Sequence, residues 1–234
     1  MKLDVIYEDK YIIACVKPSG VPAQGDKSND MDMVSLVQNY LFDNSDSDEE
    51  PYVAVIHRLD KPVGGIMLFA KERETAAKLS DMLQDGKIEK YYQAVLTGEL
   101  PDGVGEFNDY ILTDNKTGTS KVVPKGTKGA KEARLSYEVL DEFDTDDGPL
   151  TYVLIGLYTG RHHQIRCQMA AHKAAVWGDM RYNPVFKKKP MKGLHEIGLY
   201  FSRMEFDHPV TGERVILKAE PEGIAFEAIE LDEE

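Results

Sequence analysis

Cysteine is scarce in this chain of 234 residues, since only Cys15 and Cys167 are present, far apart and outside any CxxC or Cys/His spacing. This scarcity excludes a disulfide scaffold and a cysteine-based metal centre. We interpret both cysteines as reduced, half-buried residues. No apolar run approaches the roughly 18 residues that span a bilayer, and the opening MKLDVIYEDKY lacks the apolar stretch of a signal peptide. We therefore expect a cytoplasmic protein without a membrane partner.

Positive charge is also in short supply. Against 41 Asp and Glu there are 28 Lys and Arg, which gives a net charge of −13 and at first argues against nucleic acid as a partner. The charge is unevenly distributed, however. Residues 41–50, 141–147 and 227–234 carry five carboxylates each and no Lys or Arg, whereas residues 121–134 carry +4 and residues 181–192 carry +5. The two basic stretches could form an anion-binding face, so nucleic acid remains a candidate partner.

Strand-like patterns outnumber helical ones along the chain. We predict strands at residues 5–7, 11–16, 52–56, 66–70, 91–97, 106–113, 133–140, 152–158, 195–201 and 214–218. We predict helices at residues 32–42, 72–85, 161–171 and 222–229. Because the strands do not alternate with the helices, the pattern favours an α+β fold with a largely antiparallel sheet over a parallel α/β fold.

Two polar segments stand where predicted strands end. His57-Arg58-Leu59-Asp60 is followed by Gly64-Gly65, and these glycines let another backbone or a ligand come close. Taken alone, this segment is equally well explained as a turn in which Asp60 caps backbone amides.

The second segment is Thr159-Gly160-Arg161-His162-His163-Gln164-Ile165-Arg166, at the start of a predicted helix. A helix N-terminus with two arginines and two histidines favours an anion, although a basic cap on a surface helix explains it too. Adjacent histidines cannot share one helix face, and no acidic third ligand stands at metal spacing, so we predict no metal.

Together and in order, these segments resemble the RluA-type pseudouridine synthases, which modify ribosomal and transfer RNA. Departures occur at Val63 and Gly64, where the family most often has threonine and serine, and at Cys167-Gln168, where a histidine is common. The resemblance runs from about residue 5 to residue 220. The other matching segments are Lys17-Pro18-Ser19-Gly20, Phe69-Ala70-Lys71, Lys90-x-Tyr92-x-Ala94 with Gly98, Gly178-Asp179 with Tyr182, and His208-Pro209 with Thr211-Gly212.

The resemblance implies the pseudouridine synthase catalytic fold, which is α+β with a long, mostly antiparallel mixed sheet, flanking helices and a central RNA cleft. It implies one catalytic domain over residues 1–234, divisible into two half-domains that share the sheet. We expect no small RNA-binding domain before residue 5, an acidic tail at 227–234, and a monomer that uses neither metal nor cofactor.

The resemblance also assigns roles to individual residues. Asp60 is the catalytic carboxylate, Arg166 is its charge partner and Tyr92 stacks on the uracil ring. Ile165 packs on the target base, and Arg58 fills the space that a flipped base leaves. His57 is expected to be structural rather than catalytic.

Substrate binding is further assigned to Arg161 and to a run of three lysines, Lys187, Lys188 and Lys189. Because Pro184 and Pro190 flank the run, we expect an exposed loop that contacts phosphates, with a merely solubilising loop as the alternative. A non-catalytic RNA-binding or ribosome-assembly protein that retains the fold is the alternative function. An unrelated carboxylate hydrolase would need a second acid paired with Asp60, and no motif supplies one.

Overall fold

The computed structural model describes residues 2–25, 31–101, 103–145, 148–191, 193 and 195–230. Asp146 and Asp147 of the second acidic stretch, Lys192 of the second basic stretch and positions 231–234 of the predicted tail lie outside the described residues. The chain divides into two compact units, which we call unit 1 (Met1–Glu89 and Phe201–Pro221) and unit 2 (Lys90–Tyr200 and Glu222–Glu234). Within the described ranges, no helix has the length and apolar character needed to cross a membrane.

Strands dominate both units. The strands in chain order are β1 (Asp4–Glu8), β2 (Ile12–Lys17), β3 (Ala54–Val55), β4 (Gly64–Ala70), β5 (Glu89–Thr97), β6 (Val104–Asp114), β7 (Thr119–Val123), β8 (Lys131–Thr145), β9 (Gly148–Leu157), β10 (Ala175–Val176), β11 (Leu199–Asp207) and β12 (Arg214–Lys218). The helices are α1 (Met33–Asp43), α2 (Arg73–Gln84), α3 (Gln164–Ala171), α4 (Pro184–Lys188) and α5 (Ile224–Glu230). The α+β prediction with a large, mostly antiparallel sheet is confirmed.

The core of unit 1 is the antiparallel pair of β2 and β4, in which every residue is buried. Both strands are continuous apolar runs, typical of strands covered on both faces. β1 pairs with the other side of β2, β3 pairs with the end of β4, and β11 and β12 complete the strand order β1-β2-β4-β11-β12. At the far end of the central pair, Lys17 lies opposite Gly65 in the register.

Unit 2 is an antiparallel sheet in the order β5-β9-β8-β6-β7, with the short β10 on β5. β9 alternates between buried and half-buried residues, as expected for a strand packed on one face. Ile111 of β6, Ala133 of β8 and Cys167 of α3 form one buried cluster, against which Val122 and Tyr182 pack. This cluster holds α3 on the sheet.

Several predicted elements are confirmed, and the exceptions have local causes. The predicted helices at 32–42 and 72–85 correspond to α1, which Asp32 caps by accepting from the backbone N–H of Ser35, and to α2. The strand predicted at 195–201 lies later, as β11. The helix predicted from residue 161 starts only at Gln164, because His163 adopts the left-handed conformation with φ of 53°. A residue in that conformation interrupts a right-handed helix, so Arg161 lies in the preceding turn.

The loop predicted for the lysine run was wrong, because α4 includes Lys187 and Lys188, and Lys189 is the residue that caps its C-terminal end. Pro184 does not oppose this helix but begins it, since the first helical residue needs no N–H donor. The buried Asn183 caps it by accepting from the backbone N–H of Val185 at 3.0 Å. All three lysines are exposed, as predicted.

Candidate active site

In unit 1 the predicted catalytic segment is a loop between β3 and β4. Arg58 is exposed, Leu59 is buried and Asp60 is half-buried, so the apolar side chain anchors a loop whose polar groups reach solvent. The backbone N–H of Val63 donates to the carbonyl of Asp60 at 3.0 Å and closes a turn. Val63 and Gly64 are buried at the start of β4. An apolar residue therefore suits a position where the family most often has a hydroxyl.

Lys17 fixes this loop, and the sequence reasoning missed that role. Its side chain is fully buried at the end of β2. Its Nζ donates to the backbone carbonyls of Pro18 at 2.9 Å, Val21 at 2.8 Å and Lys61 at 3.1 Å. The Lys61 carbonyl also accepts from the N–H of Gly20 at 2.8 Å. The residue directly after Asp60 is thus held by two donors from the Lys17-Pro18-Ser19-Gly20 segment.

The charge of Lys17 is also coupled to Asp60. Burial lowers the pKa of Lys17 to about 7, whereas the Asp60 carboxylate acts in the opposite direction and favours the ammonium form. A lysine that ends the apolar run Ile-Ile-Ala-Cys-Val is the sequence signal for this group, because a buried lysine requires partners.

Two neighbours restrict the same loop from the β4 side. Gly65 has φ of +119°, and a Cβ atom there would lie 2.4 Å from the backbone oxygen of Phe201, so only glycine fits. The Nε2 of His57 accepts from the N–H of Leu68 at 3.3 Å, and its ring packs edge-on against Phe201. These contacts support the structural role expected for His57.

In unit 2 the guanidinium of Arg166 is buried in a two-point ion pair with Asp179. Its Nε donates to Oδ2 at 2.7 Å and its Nη2 donates to Oδ1 at 3.0 Å. Asp179 is fully buried and also accepts from the backbone N–H groups of Arg181 and Tyr182. Burial by itself raises the pKa of Asp179, but the bonds and charge of Arg166 outweigh it and hold the pKa below its usual value. The carboxylate therefore stays ionised, and it holds Arg166 through two of the five guanidinium N–H donors.

The ring of Tyr182 packs against the same guanidinium. The Arg166 Cζ lies 5.2 Å from the centroid of the Tyr182 ring, a cation–π distance. The Tyr182 hydroxyl accepts from the backbone N–H of Ser120 at 2.8 Å and lies 2.7 Å from Nδ1 of His163. His162 stacks on His163 at 3.7 Å, and its Nδ1 lies 3.0 Å from the hydroxyl of Ser120.

The turn before α3 is bound to the neighbouring strand β8. The Oε1 of Gln164 accepts from the hydroxyl of Thr159 at 2.8 Å and from the N–H of Arg161 at 3.0 Å, while its Nε2 donates to the carbonyl of Arg134 at 3.1 Å. Arg161 donates through Nε to the carbonyl of Glu132 at 2.7 Å. Arg161, which the sequence analysis predicts to bind an anion, therefore also holds the turn in place.

The remaining predicted residues of unit 2 lie in ordered elements. Tyr92 is buried in β5 opposite Ile155 of β9, and Ile165 is buried in the first turn of α3. The cysteines were predicted to be half-buried, but both are buried, and burial raises the pKa of each to about 12. Neither thiol is therefore reactive at neutral pH. Across the described ranges, no group of three or more His, Cys, Asp or Glu is placed to hold a metal ion.

Comparison with known proteins identifies the family. Residues 11–171 match the family model described as RNA pseudouridylate synthase. The chain belongs to this family. The matched range includes Asp60, Tyr92 and Arg166, and the activity of the enzyme is that of a pseudouridine synthase, an isomerase acting on RNA.

Two relatives show how far the likeness extends. A tRNA pseudouridine synthase C of Vibrio parahaemolyticus is 30% identical over 94% of this chain and 90% of its own. A ribosomal large subunit pseudouridine synthase D of Pseudomonas aeruginosa is 30% identical over 92% of this chain and 67% of its own. The solved structure of human RNA Pseudouridylate Synthase Domain Containing 4 shares the fold, with a TM-score of 0.77 at 19% identity over 97% of this chain and 92% of that one.

Proposed function

We propose that the enzyme isomerises a specific uridine in ribosomal or transfer RNA, with Asp60 as the catalytic carboxylate. The observation that carries the assignment is the loop of unit 1 that contains Asp60. The buried Lys17 ammonium donates to the backbone carbonyl of Lys61, the residue that follows Asp60. A protein that only bound RNA would have no need to hold the backbone next to a half-buried carboxylate in this way. The names of the two relatives support both RNA classes as substrates.

The reaction sets specific demands on the chain. The glycosidic bond between C1′ and N1 breaks, the uracil rotates and C1′ rejoins the base at C5. C5 then releases its proton, and N1 takes up a proton. A carboxylate can supply the key step by attacking the sugar, by attacking the base or by assisting deprotonation of the sugar. Each route requires an ionised Asp60, and a nearby opposite charge lowers an aspartate pKa by about 1–3 units. We assign this stabilising role to Arg166.

The other residues would position the substrate. Tyr92 would stack on the uracil ring and Ile165 would pack on it, after the base has left its helix at a cost of a few kcal/mol. The exposed Arg58 would occupy the vacated space, because a planar guanidinium stacks on bases. Arg161 and the lysine run at 187–189 would contact phosphates, and such contacts position RNA without reading its sequence.

Compartment and oligomeric state belong to the same proposal. Two buried thiols with strongly raised pKa values are compatible with a reducing cytoplasm, where we place the enzyme. We expect it to act as a monomer, which analytical ultracentrifugation would test directly.

The substrate can be identified by mapping pseudouridines in total RNA from a strain that lacks the gene. We expect at least one ribosomal or transfer RNA site to lose its pseudouridine, and wild-type enzyme to restore it. Asp60→Asn should fail to restore the site at equal protein level. Restoration by Asp60→Asn would instead support the alternative of a non-catalytic RNA-binding protein.

A further inference from the structure

Tyr182 joins three separate segments of unit 2 through one side chain. Its hydroxyl bonds to the backbone N–H of Ser120 in β7 and lies within hydrogen-bond distance of His163 at the start of α3. Its ring makes a cation–π contact with the guanidinium of Arg166. Its own backbone N–H donates to Asp179 at 3.2 Å, on the carboxylate that binds Arg166.

The hydroxyl is the part that packing does not explain. The ring belongs to the apolar cluster around Ile111 and Cys167, where phenylalanine would fill the same space. The two hydroxyl contacts instead fix the tilt of the ring, one from the backbone of a strand and one from a histidine held at φ of 53°. A ring fixed at two points presents a constant face to the guanidinium beside it.

From this geometry we infer that Tyr182 is a positioning residue for Arg166, which sets the plane of the guanidinium through its ring while Asp179 sets the direction of its Nε–Nη2 edge. The inference rests on the proposed catalytic role of Arg166. Displacement of a group by about 1 Å can reduce turnover by up to about a hundredfold, so a loosened guanidinium has a measurable cost.

The direct test is Tyr182→Phe, which keeps the ring and removes both hydroxyl contacts. We expect turnover at saturating RNA to fall by about tenfold or more while the Kd for RNA stays unchanged. The matched control is Tyr158→Phe. Like Tyr182, Tyr158 hydrogen-bonds to a serine, Ser136, through its hydroxyl and makes a cation–π contact with an arginine, Arg134. The control should keep wild-type turnover, because Arg134 has no assigned role in the reaction.

A second measurement reports on Arg166 itself. The Arg166 Nε–H, bonded to Asp179 at 2.7 Å, should exchange slowly with solvent in wild type. Its exchange, followed by NMR, should accelerate in Tyr182→Phe and remain slow in Tyr158→Phe. A merely structural role for the hydroxyl would lower the unfolding temperature without altering either this exchange or turnover below that temperature.

If Tyr182→Phe does not fold, His163→Asn replaces it in the same measurements. Asparagine tolerates the left-handed backbone and removes the ring nitrogen that contacts the Tyr182 hydroxyl. Wild-type turnover and wild-type exchange in the folded variant would overturn the inference. Failure of the proposed function is distinguishable, because in that case Asp60→Asn would retain turnover whatever Tyr182→Phe does.

Discussion

The Asp60 segment of unit 1 and the Arg166 segment of unit 2 are held in place by different chemistry. Around Asp60 the acceptors are backbone carbonyls, and one ammonium, that of Lys17, gathers three of them. Around Arg166 the partners are side chains, namely the Asp179 carboxylate and the Tyr182 ring. One segment fixes a loop through its main chain, and the other fixes a single charged group through its neighbours.

This difference predicts different consequences of substitution. Removal of the Lys17 ammonium removes three hydrogen bonds to backbone carbonyls at once, so the damage should appear mainly in stability. Removal of a partner of Arg166 leaves one buried charge without its counter-charge, so the damage should depend on pH and on which partner is removed.

The largest effect is expected for Lys17→Met. Three hydrogen bonds from the Lys17 Nζ to backbone carbonyls are lost together. A hydrogen bond from a charged donor contributes about 1.5–3 kcal/mol, so we expect a loss of at least about 3 kcal/mol in the free energy of unfolding. The control is Lys71→Met, whose partly exposed ammonium bonds to Glu8 and to the carbonyl of Asp9. Urea unfolding of both variants tests the difference. Equal losses would show that the Lys17 contacts are no stronger than surface contacts.

The second largest effect is expected for Asp179→Asn. This variant breaks a buried ion pair and should lower the free energy of unfolding by about 3 kcal/mol at pH 7. Arg166 holds the pKa of Asp179 below its usual value. The ion pair therefore stabilises the folded protein at pH values above the usual aspartate pKa, and this stabilisation is lost as the pH falls through the lowered pKa. The difference between wild type and variant should therefore shrink below about pH 4. Urea unfolding at pH 7 and at pH 3.5 tests this. A difference that stays constant would rule out the ionised pair.

Arg166→Lys should reduce single-turnover rate by about tenfold to a hundredfold, since it keeps the charge but loses the planar two-point geometry. Arg166→Met should be slower still, and less stable because Asp179 is then buried alone. Adding Asp179→Asn to Arg166→Met should recover stability without recovering rate. A recovered rate would mean that Arg166 acts only through the fold.

The smallest effect is expected for the lysine run at the end of α4. Replacing Lys187, Lys188 and Lys189 with glutamine should flatten the slope of log K against log salt by up to about 2, with little change in rate at saturating RNA. The control with the same loss of charge replaces the exposed Lys2, Lys10 and Lys218. If the slope does not change when the lysine run is replaced, or changes equally in the control, the lysine run does not contact phosphates.

The sequence predicted the parts of the fold that depend on local pattern. The apolar runs of β2 and β4 and the capped helix α1 follow from periodicity and cap residues. The order of the motifs assigns catalytic roles to Asp60 and Arg166, and these roles stay predictions. The sequence did not predict that Pro184 begins a helix, because the buried cap at Asn183 depends on a contact with Thr97, 86 residues away in the chain. Asp179 was missed as an anchor because its partner Arg166 lies 13 residues away. Lys17 was missed although a lysine that ends an apolar run requires buried partners.

The most direct test of the catalytic assignment is tritium release from C5-labelled RNA under single-turnover conditions, with wild type and Asp60→Asn at equal and saturating concentration. Asp60→Asn is nearly isosteric and keeps the loop that Lys17 holds, so RNA binding should remain near wild type. We predict that tritium release by this variant falls to background. A rate within tenfold of wild type would contradict the role of Asp60 as the catalytic carboxylate.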